Sequence, residues 1–313
     1  MKSLQAWLEK PGVMELREVN LPEPAPYEVQ VKCLANGICM AEVSTFRGTE
    51  PPWGSPLGHE GIGVVTKVGR DVKSLKEGDC VTTTSWATYQ NQAAAHTAVF
   101  RQVPADPAVF ITEPSACVVT AWYSYRIVPG DRVLVLGAGY MGLLNVQALG
   151  RSPLAELVVA DLKPANLKLA AAAGATEVIN SGTAKGKARL EALKDQPFDL
   201  VVEAAGAEQT LQLAGPLTRR GGRLSIFAWH HGNRTVDFGL WHVRGLQVLN
   251  SSPMIGTDWN INPMQRAAHL LEAGVFDQRR LITHRHPFAQ VQAALELAAA
   301  RPPEYCKGVL LFA

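Results

Sequence analysis

Over the first hundred residues, apolar and polar positions alternate with a period of two. LQAWLE and VMELREV each place every second side chain on one face, and Lys10-Pro11-Gly12 between them is a turn signal. EVQVKCLA continues the alternation, and GIGVVTKVG and DCVTTT follow as further strands, set off by glycines and by the acidic turn KEGD. Many short strands with turns between them predict a barrel-like or partly open β architecture.

From about residue 118 the pattern changes. RVLVLG (132–137) is a short continuous apolar run, as a parallel strand buried on both faces requires. A Gly-rich turn and the helical YMGLLNVQAL come next, then the strand ELVVAD and the Ala-rich helix ANLKLAAAAG, which Gly174 closes. EVI, FDLVVEAAG, RLSIFA and LQVLN are four more strands, with QTLQLAGPL a helix between two of them. Strands alternating with helical crossovers predict a doubly wound parallel sheet. The last sixty or so residues hold two helices, NPMQRAAHLLEAG and FAQVQAALELAAA, and a closing strand KGVLLF. They carry no second Gly-rich loop, so they are expected to return to the first domain. The expected division is 1–117 with 256–313 as one domain and 118–255 as the other.

Composition narrows the class. A chain of 313 residues exceeds what one ordinary core organises, and 47% hydrophobic with 19% charged residues is normal for a folded globular protein. Thirty basic against 28 acidic residues leave a formal charge of +2, which offers no concentrated basic face for nucleic acid or a membrane surface. Cysteines 33, 39, 80, 117 and 306 are odd in number, scattered and without a C-x-x-C pair. This predicts a reducing compartment rather than a disulfide framework. No secretory signal and no bilayer-spanning run are present in the sequence, so a cytoplasmic location is expected.

The Gly-rich turn carries the first chemistry. Gly137-Ala138-Gly139-Tyr140-Met141-Gly142 is G-x-G-x-x-G, directly after an apolar strand and directly opening a helix. That context, more than the motif, points to a dinucleotide. The first glycine allows the tight turn, the second admits the pyrophosphate, and the third lets helix and strand pack closely. The next strand ends at Asp161, about 20 positions downstream. A carboxylate there accepts bonds from the adenosine ribose hydroxyls and repels a 2′-phosphate, which predicts NAD rather than NADP.

Cys39, His59, Glu60 and Glu113 make the second constellation. Each alone has a plainer explanation, since free cysteine is commonly buried and a lone glutamate is normally solvated. Together, a thiolate, an imidazole and a carboxylate are what Zn²⁺ accepts in a catalytic site that keeps one position for water or substrate.

The run GHEGIGVVTKVGRDVKSLKEGDCV (58–81), with GIC at 37–39, Glu113-Pro114 and the later GAGYMG with Asp161, closely resembles the zinc-containing medium-chain dehydrogenase/reductase family of alcohol and polyol dehydrogenases. The resemblance spans essentially the whole chain. It implies an α/β protein in which a GroES-like β-rich catalytic domain, built from both chain ends, accompanies a Rossmann domain. By the same resemblance Cys39 and His59 match the first two ligands of one catalytic zinc. Glu60 matches the carboxylate beside the metal, and Glu113 matches the third ligand, where glutamate rather than cysteine is typical of polyol and sugar dehydrogenases. Glu42 matches the partner that orients the ligand histidine, usually an aspartate. A homodimer or homotetramer is implied as well. The expected reaction moves hydride between NAD(H) and a small secondary alcohol, such as a polyol, sugar or cyclitol, or its ketone.

The chain departs from the family in three ways. Residues 81–103 contain no cysteine, so the four-cysteine structural zinc lobe is missing. Ala41 stands where a serine or threonine usually relays the alcohol proton, which leaves Ser44, or Thr45 beside it, to act through water. Glu42 has a longer arm than the usual aspartate. Two rival readings follow: a zinc-free, NADPH-dependent quinone or enoyl reductase, and a nucleotide-binding protein that has lost its chemistry. Asp161 and the Cys39–His59 pair oppose the first, and only Ala41 and the missing lobe favour the second. Trp53, Trp86 and Trp122 read as core, His230-His231 as a solvated pair, and His284 and His286 as part of a surface loop. Lys307 and Gly308 read as structural parts of the closing strand.

Overall fold

The computed structural model describes residues 1–50, 57–251 and 261–313; Trp53 and the expected boundary at 255/256 lie outside them. The chain divides into two compact units, 1–116 with 264–313 and 117–263.

Among the described residues the first stretch forms β1 (Lys2–Lys10), β2 (Val13–Asn20), β3 (Glu28–Gly37), α1 (Met40–Phe46), β4 (Gly61–Val68), β5 (Cys80–Thr83), β6 (Tyr89–Ala93) and β7 (Val99–Phe100). Helix α2 (Glu113–Tyr125) follows. The second unit runs β8 (Arg132–Leu136), α3 (Tyr140–Leu149), β9 (Glu156–Asp161), α4 (Pro164–Ala172), β10 (Glu177–Asn180), α5 (Ala184–Ala192), β11 (Phe198–Glu203), α6 (Glu208–Leu217), β12 (Thr218–Ile226), α7 (Phe238–Arg244) and β13 (Gln247–Asn250). The chain ends with α8 (Pro263–Glu272), β14 (Ile282–Pro287), α9 (Val291–Ala300) and β15 (Lys307–Leu311).

In the first unit β1 and β2 pair as an antiparallel hairpin. The larger sheet runs β14-β15-β3-β4-β5-β7, with β6 also on β3. The closing strand is therefore central: β15 pairs with β3 through Val309 and Gly37, which brings residues 307 and 308 beside the start of α1. A core of Trp86, Phe46, Leu295 and Phe288 fills one face. Trp86 is fully buried and its indole Nε1 donates to the carbonyl of Gly37 at 3.1 Å, so it fastens the segment leading to Cys39.

The second unit is a parallel sheet in the order β10-β9-β8-β11-β12-β13, doubly wound as the alternating pattern predicts. β8 reads Arg132 as partly exposed and Val133–Leu136 as buried, the continuous apolar strand of a sheet covered on both faces. Helix α5 was not legible in the sequence. Its residues AKGKARLEA bury only Gly186 and Leu190. The topology still demands a crossover between the parallel strands β10 and β11, and Thr183 caps it by accepting from Gly186 N at 3.0 Å.

Two expectations are corrected. His284 and His286 belong to strand β14 rather than to a loop; Pro287 closes the strand on a sheet edge, where a missing N–H is tolerated. His230 is not solvated: its side chain is 9% exposed and bonded to a buried glutamate, whereas His231 is exposed.

Candidate metal centre and dinucleotide cradle

Cys39 is the residue before α1, extended at φ −83° and ψ 155°, so its side chain stands at the helix N-terminus. Glu42, at the third helical position and 5% exposed, turns back in the manner of a capping box. Its Oε2 accepts from the backbone N–H of Cys39 at 3.0 Å, and its Oε1 lies 2.6 Å from Nδ1 of His59. One buried carboxylate thus holds both the cysteine and the histidine. With Nδ1 bound to Glu42, the other ring nitrogen of His59 faces Glu113, 3.9 Å from Oε2. That gap is too long for a hydrogen bond. It is near the roughly 3.4 Å that two ligand atoms of one tetrahedral zinc keep from each other.

The ligand atoms of Cys39, Glu42 and His59 lie within 4.8 Å of one another, as do those of His59, Glu60 and Glu113. A thiol, an imidazole and three carboxylates are therefore gathered in one partly buried place, with His59 common to both groups. Such an acid-rich set requires a cation. The side chains answer that need as they stand. Burial alone would push the His59 imidazolium down, but Glu42, Cys39 and Glu113 hold its pKa well above the ordinary value. Burial pushes the Cys39 thiol up, and the nearby His59 opposes that shift. The donor set suits zinc, which takes thiolate, imidazole and carboxylate together.

Glu60 is 2% exposed, and sequence reasoning missed its partner. Lys307 Nζ lies 2.8 Å from Oε1 and 2.5 Å from Oε2. Burial would lower the pKa of the Lys307 ammonium, but Glu60, helped by Cys39 and Tyr305, outweighs it and the pKa is raised. The two residues are far apart in the chain, and the pairings of β3 with β15 on one side and with β4 on the other bring them together. No local signal distinguishes Lys307 from any other lysine that opens a strand.

Glycines make the room. A Cβ on Gly37 would fall 1.8 Å from Glu60 Oε2. Gly58 has φ +103°, and a Cβ there would come within 2.3 Å of the Trp86 ring. GHEG thus answers a backbone requirement: Gly58 seats the chain on Trp86, and His59 beside it meets Glu42.

Ser44 is half-buried on α1, and its carbonyl accepts from Thr49; among the described residues its hydroxyl makes no hydrogen bond to a member of the cluster. Ala41 is partly buried and carries no polar side-chain atom.

The Gly-rich turn follows β8 and opens α3, with Tyr140 and Met141 in the first helical turn. Gly137 has φ +100°, and a Cβ there would strike Ala205 at 2.7–2.8 Å. A Cβ on Gly142 would reach Gly137 O at 2.0 Å, so the helix packs directly on the turn. Gly139 is different. Its φ is an ordinary −66°, and a Cβ would meet no atom within 4 Å. The protein itself does not need that glycine, whereas a phosphate seated on the turn would. Asp161 ends β9 with Oδ2 accepting from Ala138 N at 2.7 Å and Oδ1 accepting from Lys163 N at 2.7 Å. Its charge is fixed beside the turn, and no arginine follows it: Leu162 is next and 68% exposed.

The comparisons agree across the chain. The family model for the alcohol dehydrogenase GroES-like domain matches residues 25–138, and the zinc-binding dehydrogenase model matches 141–271. An uncharacterised zinc-type alcohol dehydrogenase-like protein of Escherichia coli K12 is 27% identical over 99% of both chains. Sorbitol dehydrogenase of Ovis aries is 26% identical over 94% of this chain and 93% of its own. A solved Escherichia coli structure, described as an oxidoreductase/dehydrogenase of unknown specificity, superposes over 100% of both chains with a TM-score of 0.89 at 25% identity.

Proposed function

The chain belongs to the zinc-containing medium-chain dehydrogenase family, and on that premise we propose that it is an NAD-linked dehydrogenase of a polyol, sugar or cyclitol, working on a secondary alcohol or its ketone. The observation that carries the reading is the cluster of Cys39, His59, Glu60 and Glu113, with Glu42 holding the first two. Cys39, His59 and Glu113 are the residues that would hold the metal, with Glu60 beside them. A glutamate third ligand and the sorbitol dehydrogenase relative both support the polyol class.

When bound, zinc supplies Lewis acidity toward the alcohol oxygen and NAD supplies the hydride acceptor. The chain's residues prepare for both. Glu42 accepts the hydrogen bond of His59 Nδ1–H, which keeps the ring proton on Nδ1 and leaves the Nε2 lone pair for a metal. Lys307 neutralises Glu60, which lets a second carboxylate stay beside the cluster without adding a full uncompensated charge. Ala41 has no hydroxyl, so the proposed carrier of the alcohol proton is Ser44, through water. In the second unit Gly139 leaves the turn clear for a pyrophosphate, and Asp161 favours the free ribose hydroxyls of NAD over the 2′-phosphate of NADP.

Metal analysis joined to an alcohol panel tests the proposal. One zinc per chain and chelator-sensitive NAD reduction on polyols are expected. Protein without zinc, together with unchanged turnover in Cys39→Ser, overturns it. NADPH binding more tightly than NADH would favour the quinone or enoyl reductase reading instead.

A further inference from the structure

Glu203 ends β11 fully buried, and its two oxygens serve different parts of the fold. Oε1 accepts from the backbone N–H of Ala205 and of Gly206, both at 3.0 Å, and from the Thr210 hydroxyl at 2.7 Å. Those bonds shape the turn into α6. Oε2 reaches instead to the segment beyond β12, where it lies 2.7 Å from His230 Nε2. On the far side of the ring, Arg234 Nε donates to Nδ1 at 3.3 Å. An acceptor at Nδ1 places the ring proton on Nε2, facing Glu203.

This group lies along the carboxyl edge of the sheet that also bears the Gly-rich turn. β8, β11 and β12 are neighbours, and their following turns touch in a row. Gly137 abuts Ala205, and a Cβ on Gly206 would lie 3.5 Å from Ala228 Cβ and 3.6 Å from the Trp229 carbonyl. Ala228 N donates to the Glu203 carbonyl at 2.9 Å. Asp161 marks the adenosine side of the turn, because β9 flanks β8 on the side away from β11. A dinucleotide with its pyrophosphate on the turn must therefore extend its other half along 204–206 and 228–230.

We propose that Glu203 and His230 are a positioning pair for the nicotinamide half of the cofactor. By bonding across two turns they lock the wall against which that half lies, and Arg234 keeps the ring in the tautomer that bonds Glu203. Neither histidine nitrogen is left over, so His230 acts through the wall rather than on the reacting carbon. The inference rests on the dinucleotide reading of the Gly-rich turn.

Calorimetric titration with NADH and with ADP-ribose, which lacks the nicotinamide, tests it. His230→Ala should weaken NADH about tenfold and leave ADP-ribose within about twofold. His230→Gln, whose amide N–H reaches the same acceptor, should recover most of the NADH affinity. Equal weakening for both ligands would show that the pair only supports the fold, and unchanged NADH binding would show no role; either overturns the proposal. If the unaltered protein binds neither ligand, the dinucleotide reading itself falls and this inference falls with it.

Discussion

Glu42 spans two of the proposed ligands, Cys39 and His59, with one side chain, and the extra methylene relative to aspartate supplies that reach. Removing its charge should leave Cys39 and His59 in the chain but no longer oriented. Glu42→Gln is expected to lower zinc affinity about 10- to 100-fold in competition with a fluorescent chelator. Lys307 works differently, by compensating a buried charge. Lys307→Met leaves Glu60 buried without its cation and should cost about 3–5 kcal/mol in denaturant unfolding. The sign with pH follows from the raised folded-state pKa of Lys307. Its contribution is fully present below about pH 10.4, the ordinary lysine value, and is lost only as pH climbs through the folded-state value above that. An alkaline unfolding series should therefore show wild type and Lys307→Met converging only at high pH. Cys33 and Cys80 belong to the packing alone: burial pushes each thiol to about 12, so neither is nucleophilic at neutral pH.

At the scale of elements, the Gly-rich turn separates what folding needs from what a ligand needs. Gly137 occupies the left-handed region and abuts Ala205, so Gly137→Ala should lower thermal stability and NADH binding together. Gly139→Ala meets no protein atom and keeps an ordinary φ. That variant should melt within a degree or so of wild type, or slightly higher, and yet lose NADH affinity by about tenfold or more. Equal melting losses in both variants would contradict this division. The same logic explains why strands were easier to read than some helices. RVLVL and ELVVAD declare themselves by continuous burial. Helix α5 exposes most of its length and is required by topology rather than by its own pattern.

For the whole molecule, the proposed metal cluster lies in the unit formed by 1–116 and 264–313, and the Gly-rich turn proposed for the cofactor lies in 117–263. Each is assembled by bonds within its own unit. Stripping the metal with a chelator should therefore abolish turnover while NADH fluorescence titrations change by less than about twofold. Loss of both together would mean the two sites are coupled in a way their own contacts do not require.

The sequence alone was sufficient for much of this protein, and the reason is locality. Gly137–Gly142 is a contiguous word whose chemistry depends on the strand and helix beside it, Gly58-His59-Glu60 is read through the contiguous family-like run that contains it, and periodicity of two or continuous apolar runs mark strands locally. Cys39 was legible only through the family resemblance of the run at 58–81, because its proposed partners His59 and Glu113 lie far along the chain from it. What only the tertiary structure decided is pairing at a distance. Lys307 meets Glu60 because β15 returns to β3, and His230 meets Glu203 because β12 lies beside β11. A buried charge can be satisfied by any partner the fold brings within about 3 Å, and nothing in a one-dimensional pattern says which one that will be.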